Sequence, residues 1–392
     1  MTHADPFVSS LRPTAVELPE SGIVRVMNYG RDREGLIPLW AGEGDMPTPD
    51  FISDAAHRSM RAGETFYTHQ RGIPELRDAI ARYLGRLYER TMDPERIFVT
   101  GSGMQAIQIA IQAVAGPGDE VVIPTPAWPN FAAAAEISGA RPVCVPFDFG
   151  PDGWQLDLDR LLAACGPRTR ALFINSPANP TGWTISKDEI DRILAFVRER
   201  GIWLIADEVY SRFYYHGDLA PSFQHAVTPD DRALLVNTFS KNWSMTGWRM
   251  GWLQAPPEIG QVIENLIQYN TSGVAVFMQR AGITAIEEGE PFVAEQIERA
   301  RRGRQIACEA LAPLNRARFA WPDGSFYLLV GIEGYDDTNR LAERLVDEAN
   351  IGLAPGTAFG PGGETFLRIC YARSEESMSE AMERLTGWIE AD

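Results

Sequence analysis

The sequence contains very little lysine, cysteine and histidine. Among its 392 residues, with 36 basic side chains, only Lys187 and Lys241 are lysines. The four cysteines form no CxxC pair and the five histidines form no HxH or HxxxH pair, which argues against a zinc site. Cysteines so far apart are typical of reduced thiols, and they predict a cytoplasmic protein.

The sequence also lacks any apolar run close to the roughly 20 residues that a membrane-spanning helix needs. Residues 1–20 contain prolines and acids but no apolar segment of the secretory-signal type. Acidic residues outnumber basic ones by 53 to 36, which gives a formal net charge of −17. Because such a charge repels phosphate backbones, we expect no nucleic acid partner, and the lack of a long apolar run predicts no membrane partner.

The middle of the chain contains alternating strand and helix patterns. Short apolar runs predict strands over 97–100, 121–123, 142–146, 170–175, 202–206, 233–237 and 249–254. Apolar residues at helical spacing predict helices over 104–115, 129–138 and 186–200. This alternation favours an α/β fold with a mainly parallel sheet covered by helices on both faces.

The C-terminal part has a different order of elements. Helix patterns over 291–312, 338–349 and 374–390 alternate with strands over 325–330 and 366–370, as in a smaller α+β domain. The first 45 residues have no strong periodicity and are expected to wrap onto one of the two bodies. We therefore predict an N-terminal segment (1–46) packing with the small domain, a large domain (47–285) and a small domain (286–392).

Polar side chains follow nearly every predicted strand of the middle part. Ligands of open α/β sheets bind outside the carboxyl ends of the strands, so these side chains are expected to share one edge of the sheet. They include a Gly-Ser-Gly turn before a helix, an aromatic ring, an amide, a carboxylate, a phenol, an amine and a guanidinium: Gly101-Ser102-Gly103, Trp128, Asn179, Asp207, Tyr210, Lys241 and Arg249.

Each of these features is ambiguous by itself. The Gly-Ser-Gly segment could bind a phosphate, or it could be an ordinary tight turn. Trp128 could be a core residue, and Lys241 by itself resembles a surface lysine. Together they match pyridoxal 5′-phosphate (PLP), because an amine can bind its aldehyde and an acid can keep its pyridine nitrogen protonated. No GxxxxGK[ST] motif is present, and the absence of GxGxxG together with the context of Lys241 argues against a nicotinamide dehydrogenase.

The segment 233–252, ALLVNTFSKNWSMTGWRMGW, resembles the lysine signature of class I/II aminotransferases of PLP fold type I. Further segments are similar to motifs of that family along nearly the whole chain: 42–49 (GEGDMPTP), Tyr67 with 72–77 (GIPELR), 175–182 (NSPANPTG), 207–210 (DEVY), 324–327 (GSFY) and 366–368 (FLR). The resemblance implies a large domain with a mainly parallel seven-stranded sheet between helices, and a smaller α+β domain.

The resemblance implies a role for each matching residue around the cofactor ring. Lys241 would bind the PLP aldehyde and move the proton between the substrate Cα and the cofactor. Asp207 would pair with the pyridine nitrogen, Tyr210 and Asn179 would hydrogen-bond the ring oxygen, and Trp128 would stack on the ring.

The resemblance also implies a phosphate site and a substrate site. The phosphate would be held by Ser102, Gly103, Met104, Thr238 and Arg249. Tyr67 would reach the phosphate of a second subunit, which makes the expected active unit a homodimer. Arg368 would bind the substrate α-carboxylate, assisted by Asn179 and the backbone of Gly42.

The expected activity is a PLP-dependent aminotransferase, which moves an amino group from an L-amino acid to a 2-oxo acid such as 2-oxoglutarate or pyruvate. The mechanism would be a ping-pong cycle through an aldimine and a ketimine. A C–S β-lyase, a decarboxylase or a cyclising dehydratase on the same fold is the alternative, and a PLP-sensing regulator is disfavoured because neither end has room for a DNA-binding domain.

The substrate side chain is not specified by these motifs. Some dicarboxylate-specific members use an arginine shortly before the segment that here reads 269–272, but residues 261–272 contain no arginine. Strict specificity for aspartate by that route is therefore in doubt. Arg25, His69, Gln70 and Arg71 are candidate selectors, although surface or structural roles are more common for such residues.

Overall fold

The structure is a computed structural model that describes residues 6–391. In this range the chain forms fourteen α-helices: α1 (Pro6–Ser9), α2 (Pro13–Val16), α3 (Gly22–Gly30), α4 (Asp50–Arg61), α5 (Pro74–Tyr88), α6 (Gly103–Val114), α7 (Asn130–Ile137), α8 (Leu158–Ala163), α9 (Lys187–Arg200), α10 (Gly260–Thr271), α11 (Val276–Glu288), α12 (Glu290–Leu311), α13 (Thr338–Ala349) and α14 (Glu375–Ala391).

The same range contains fifteen strands, which are β1 (Ile37–Pro38), β2 (Ile97–Thr100), β3 (Glu120–Thr125), β4 (Arg141–Pro146), β5 (Asp148–Gly150), β6 (Gly153–Gln155), β7 (Thr169–Asn175), β8 (Trp203–Asp207), β9 (Ala233–Thr238), β10 (Gly251–Gln254), β11 (Ala317–Phe319), β12 (Tyr327–Ile332), β13 (Ile351–Gly352), β14 (Ala354–Pro355) and β15 (Leu367–Cys370). Each helix and strand predicted from the sequence is present, with its ends shifted by no more than two residues.

The largest sheet has seven strands in the order β2-β10-β9-β8-β7-β3-β4. Six of them run in the same direction, and β10 is antiparallel to both of its neighbours, β2 and β9. The prediction of an α/β fold with a mainly parallel seven-stranded sheet is therefore confirmed.

The central strands are apolar throughout because both faces of the sheet are covered. Along β7, Leu172 and Ile174 belong to one buried cluster, while Ala171 and Phe173 belong to another. Successive side chains of a strand point to opposite faces, so two buried faces require an uninterrupted apolar run rather than an alternating one. Helix α9 contributes Ile193 and other residues to the first cluster, and α6 contributes to the second.

Helix α9 shows how local sequence sets the bounds of a helix. The Ser186 side chain accepts a hydrogen bond from the Glu189 backbone N–H, and the Glu189 carboxylate accepts one from the Ser186 N–H. This reciprocal capping begins the helix. Gly201 ends it in the left-handed conformation (φ 66°), which glycine adopts without strain.

The C-terminal part contains a four-stranded antiparallel sheet, in the order β11-β12-β15-β14. The N-terminal segment packs against this part of the chain. Ile37 pairs with Ile351 in a short parallel ladder, and the Tyr29 hydroxyl donates to Asp347 on α13 at 2.7 Å. This segment has more regular structure than its weak periodicity indicated, since it includes α3 and β1. The domain bounds at residues 46 and 285 stay predictions.

The sequence predicted no membrane-spanning helix and reduced cysteines. Within residues 6–391, no helix combines the length and the apolar character that crossing a bilayer would require. All four cysteines are free thiols: Cys144, Cys165, Cys308 and Cys370.

Candidate active site

A cavity of about 330 Å³ lies at the carboxyl ends of the parallel strands, under the N-terminal segment. Its volume falls in the range of small-molecule and cofactor sites. Most of the residues predicted from the sequence line it: Gly42, Gly103, Met104, Trp128, Asn179, Asp207, Tyr210, Thr238, Lys241, Arg249 and Arg368. The folded chain thus brings together side chains that are far apart in sequence.

Lys241 lies three residues beyond the end of β9 and projects its amine into the cavity. The Nζ donates a hydrogen bond to the Gly42 carbonyl at 2.6 Å and lies 5.7 Å from the centre of the Tyr210 ring. Burial lowers the pKa of Lys241 to about 8, because the charged amine loses its hydration. A neutral amine is therefore accessible near physiological pH, as a nucleophile or a base requires.

Asp207 is the last residue of β8 and is buried at the cavity wall. One carboxylate oxygen accepts a hydrogen bond from the Val209 backbone N–H at 3.2 Å. Burial raises the pKa of Asp207 to about 7, although this N–H and the charge of Lys241 both act to lower it. A buried carboxylate whose negative charge has so little compensation would be stabilised by a cationic partner in the cavity.

Tyr210 and Tyr327 meet across the cavity wall. Their hydroxyls lie 2.8 Å apart, and their rings form an edge-to-face pair with centroids 5.5 Å apart. Burial raises the pKa of Tyr210 well above its ordinary value, so this phenol is protonated at neutral pH. Tyr327 belongs to the GSFY motif, but no role was predicted for it from the sequence, and only the fold brings it to Tyr210.

Arg368 lies on β15 and is only 2% exposed. One of its terminal nitrogens donates to the Asn179 side-chain oxygen at 3.0 Å, and the other donates to the Trp40 carbonyl. Its guanidinium carbon lies 4.5 Å from the centre of the Tyr327 ring. Within residues 6–391, no carboxylate pairs with this buried cation and its Nε has no hydrogen-bond partner, so an anion in the cavity would complete its coordination.

The first turn of α6 forms another part of the cavity wall. The first N–H groups of a helix have no partner within it, and here they belong to Gly103 and Met104. A Cβ at Gly251 on β10 would lie 2.6 Å from the Gly103 nitrogen, so only glycine allows this approach. Arg249, two residues earlier, has a left-handed backbone (φ 53°) and also lines the cavity.

Two predicted residues do not line this cavity. Ser102 is buried at the start of α6, where its hydroxyl accepts from the Gln105 N–H at 3.0 Å. Its backbone has φ 149° and ψ 166°, a region populated almost only by glycine, which costs about 1–3 kcal/mol. Tyr67 is 90% exposed and lies on the surface of the chain. Both of their predicted roles toward the phosphate stay predictions.

The residues of the cavity fit PLP. The Asp207 carboxylate is buried with little compensation for its charge, and a protonated pyridine nitrogen would provide a cationic partner for it. The N-terminus of α6 and the guanidinium of Arg249 form a site suited to a phosphate. Lys241 provides an amine of lowered pKa for the aldehyde.

Comparison with known proteins supports the same conclusion. The model of the family described as aminotransferase class I and II matches residues 34–385. The chain belongs to this family.

Similar aminotransferases are known in sequence and in structure. The chain is 36% identical over 365 residues to a probable aspartate/prephenate aminotransferase of Aquifex aeolicus, covering 91% of each chain. An aspartate aminotransferase of Thermotoga maritima superposes with a TM-score of 0.90 at 30% identity, covering 97% of this chain and 100% of the other. An aromatic aminotransferase of Pyrococcus horikoshii superposes with a TM-score of 0.86 at 33% identity, covering 93% and 99%.

Membership of this family confirms the predicted activity and cofactor. The chain is a PLP-dependent aminotransferase, and a lyase on the same fold is not favoured. The names of the similar proteins include both aspartate/prephenate and aromatic substrates. Family membership therefore leaves the substrate side chain open.

Proposed function

We propose that Lys241, Asp207 and Arg368 perform amino transfer in the cavity described above. The observation that carries the proposal is that an amine of lowered pKa, an uncompensated buried acid and an unpaired buried guanidinium line one cavity. These three groups match the aldehyde and pyridine nitrogen of PLP and the α-carboxylate of an amino acid.

Lys241 has two tasks in this proposal. Its amine first holds the aldehyde of the cofactor and then, once released, takes the proton from the substrate Cα and returns a proton to the cofactor carbon. Near neutral pH the lowered pKa leaves part of the amine unprotonated, which both tasks require. Bound PLP supplies an electron sink for the charge that develops at Cα.

Asp207, Asn179 and Tyr210 tune and orient the cofactor ring. Asp207 keeps the pyridine nitrogen protonated, and its burial makes that interaction stronger than it would be in water. Tyr210 and Asn179 would hydrogen-bond the ring oxygen, and Trp128 would stack on the ring. The edge-to-face packing of Trp128 on Phe131, with centroids 5.6 Å apart, supports a fixed orientation of the indole.

The remaining contacts bind the phosphate and the substrate. Ser102, the N–H groups of Gly103 and Met104, Thr238 and Arg249 hold the phosphate. Arg368 binds the substrate α-carboxylate, with Asn179 and the backbone of Gly42 beside it. The hydrogen bond between Arg368 and Asn179 supports this arrangement because it orients the guanidinium.

We also propose a cytoplasmic homodimer, in which Tyr67 contacts the phosphate in the partner subunit. Phe66, Tyr67 and Tyr269 are 81%, 90% and 85% exposed, and large apolar side chains so exposed favour an interface. The acceptor would be a 2-oxo acid such as 2-oxoglutarate or pyruvate.

Absorbance spectroscopy with single L-amino acids tests the proposed function. We expect the PLP chromophore of the purified protein to convert to the pyridoxamine form with one group of amino acids, and to return with a 2-oxo acid. Release of ammonia, a thiol or CO₂ with an unchanged chromophore would contradict amino transfer as the reaction of this site.

A further inference from the structure

The cations that line the cavity are all assigned in the proposed function. They are Lys241, Arg249 and Arg368, which serve the aldehyde, the phosphate and the α-carboxylate. Amino acids with a second carboxylate would need a further cation near the end of their side chain. Within residues 6–391 of a single subunit, the cavity offers none.

Two arginines beside the cavity are already paired with carboxylates. Arg25 and Arg141 line the wider groove of about 1010 Å³ that shares Trp128 and Phe131 with the cavity. Arg25 lies 3.4 Å from Glu343, and Arg141 donates to the buried Glu120 at 2.6 Å. Binding a substrate carboxylate would require either arginine to leave its partner.

The cavity also carries a negative charge of its own near the reacting amine. Glu43 lines it and accepts a hydrogen bond from the Thr246 hydroxyl at 2.8 Å. This carboxylate would repel a second carboxylate on the substrate. Both residues lie in motifs of the sequence, but the charge of Glu43 was not part of the prediction.

The remaining wall is apolar. Ile23 and Met27 reach it from α3, and Ile107 and Phe131 are the other apolar lining residues that the proposed function leaves unassigned. Thioether and aromatic groups adapt to bulky apolar side chains. The adjoining groove adds room for such a side chain.

We infer that this aminotransferase takes L-amino acids with bulky, uncharged apolar side chains in preference to dicarboxylates. The inference rests on the proposed function of the cavity. It concerns only the part of the substrate beyond Cβ, because every amino acid presents the same α-amino and α-carboxylate groups.

The holoenzyme can be tested with L-phenylalanine and L-leucine against L-aspartate and L-glutamate in the first half-reaction. We expect kcat/KM to be at least 10-fold higher for the apolar pair. Calorimetry with two unreactive analogues provides a second measurement, in which 3-phenylpropanoate should bind at least 10-fold more tightly than succinate. A preference for aspartate and succinate would overturn the inference while leaving amino transfer intact.

Failure of the proposed function would look different. In that case none of the four amino acids would convert the chromophore. The relative affinities for 3-phenylpropanoate and succinate would still show whether the cavity prefers an apolar group or a second carboxylate. Tighter binding of succinate would then overturn the inference independently.

A cation placed in the apolar wall provides a further test. Met27→Arg should shift the ratio of kcat/KM for aspartate over phenylalanine at least 10-fold toward aspartate. Val24→Arg is the matched control, because Val24 lies on the exposed side of the same helix and outside the cavity lining, and it should change the ratio less than twofold. Equal ratios in the two variants would contradict the inference.

Discussion

At the scale of single residues, burial shifts the pKa values of Lys241 and Asp207, the two ionisable groups proposed to act on the cofactor, in opposite directions. It lowers the pKa of Lys241 to about 8 and raises that of Asp207 to about 7, so both titrate near neutral pH. Pairs of groups whose ordinary pKa values are moved toward the working pH are typical of catalytic sites. The chain places only one of its two lysines in this setting, since Lys187 is exposed at the start of α9.

Removal of the Arg368 guanidinium tests its proposed role. Arg368→Ala should lower kcat/KM for every amino acid by about 10- to 150-fold, since a hydrogen bond to a charged group contributes about 1.5–3 kcal/mol. Steady-state kinetics on several donors measures this, with the loss expected mainly in KM. An effect limited to one donor would contradict binding of the α-carboxylate.

Arg373→Ala is the matched control for this variant. Arg368 and Arg373 both donate hydrogen bonds to backbone carbonyls of the N-terminal segment, at Trp40 and Pro38. Only Arg368 lines the cavity. The control should therefore keep KM within about twofold of the parent. An equal loss in both variants would mean that tethering of the segment, rather than carboxylate binding, had been lost.

The sequence predicted the position of residues that follow a strand, because a local pattern marks the end of the strand. It did not predict the position of residues that depends on contacts with distant parts of the chain. Lys241 and Asp207 follow apolar strands, so their place at the sheet edge could be predicted. Tyr327 acquires its place through Tyr210, which lies 117 residues away in the chain. No local pattern encodes such a contact.

At the scale of elements, the junction of β10 with α6 sets the position of the proposed phosphate site. Gly251 pairs with both Thr100 and Thr238, which brings the strand against the first turn of the helix. The sequence predicted the strand but not its antiparallel direction, because an apolar run is the same in both directions. No helix was predicted from the sequence over the segments that form α4, α5, α10 and α11.

A methyl group at this junction should disturb the phosphate site. The Cβ of Gly251→Ala would meet backbone atoms, the Gly103 nitrogen at 2.6 Å and the Asn237 oxygen at 2.7 Å. We expect a loss of about 1–3 kcal/mol in the free energy of unfolding, together with weaker PLP binding. Chemical denaturation and titration of the cofactor-free protein with PLP measure the two effects.

Gly116→Ala is the control for that variant. It lies just beyond the other end of α6, where an added Cβ would meet nothing within 4 Å. Its stability and PLP affinity should match those of the parent. Unchanged PLP affinity in Gly251→Ala would contradict the placement of the phosphate at the start of α6.

At the scale of the whole molecule, the buried acid makes the stability of the cofactor-free protein depend on pH. The folded pKa of Asp207, about 7, exceeds the unfolded value of about 3.9. The folded state therefore holds a proton more strongly, and stability from this group is lost as pH rises through about 4 to 7. The full loss corresponds to about 4 kcal/mol as an upper bound.

Asp207→Asn should remove this dependence. Without cofactor, the variant should gain stability over the parent at pH 8 but not at pH 4, as measured by chemical denaturation. With PLP the sign should reverse, because the asparagine cannot keep the pyridine nitrogen protonated, and cofactor affinity and kcat should both fall. A stability difference that is the same at both pH values would contradict the uncompensated burial of Asp207.

Glu208→Gln separates the effect of a buried carboxyl group on stability from the effect of Asp207 on PLP binding. Burial also raises the pKa of Glu208 to about 7, but its carboxylate accepts hydrogen bonds from Ser222 and the Phe223 N–H, outside the cavity. This variant should share the pH signature of the cofactor-free protein and keep the PLP affinity of the parent. A loss of PLP affinity equal to that of Asp207→Asn would contradict the specific role of Asp207.

Identifying the residue to which the cofactor attaches tests the proposed mechanism directly. Borohydride converts a lysine–PLP linkage into a permanent C–N bond, and the chain contains only two lysines. Peptide mass analysis of the reduced holoenzyme should find the phosphopyridoxyl group on Lys241 and none on the exposed Lys187. Labelling of Lys187 alone, or of neither lysine after saturation with PLP, would contradict the assignment of Lys241 and the proposed mechanism of the cavity with it.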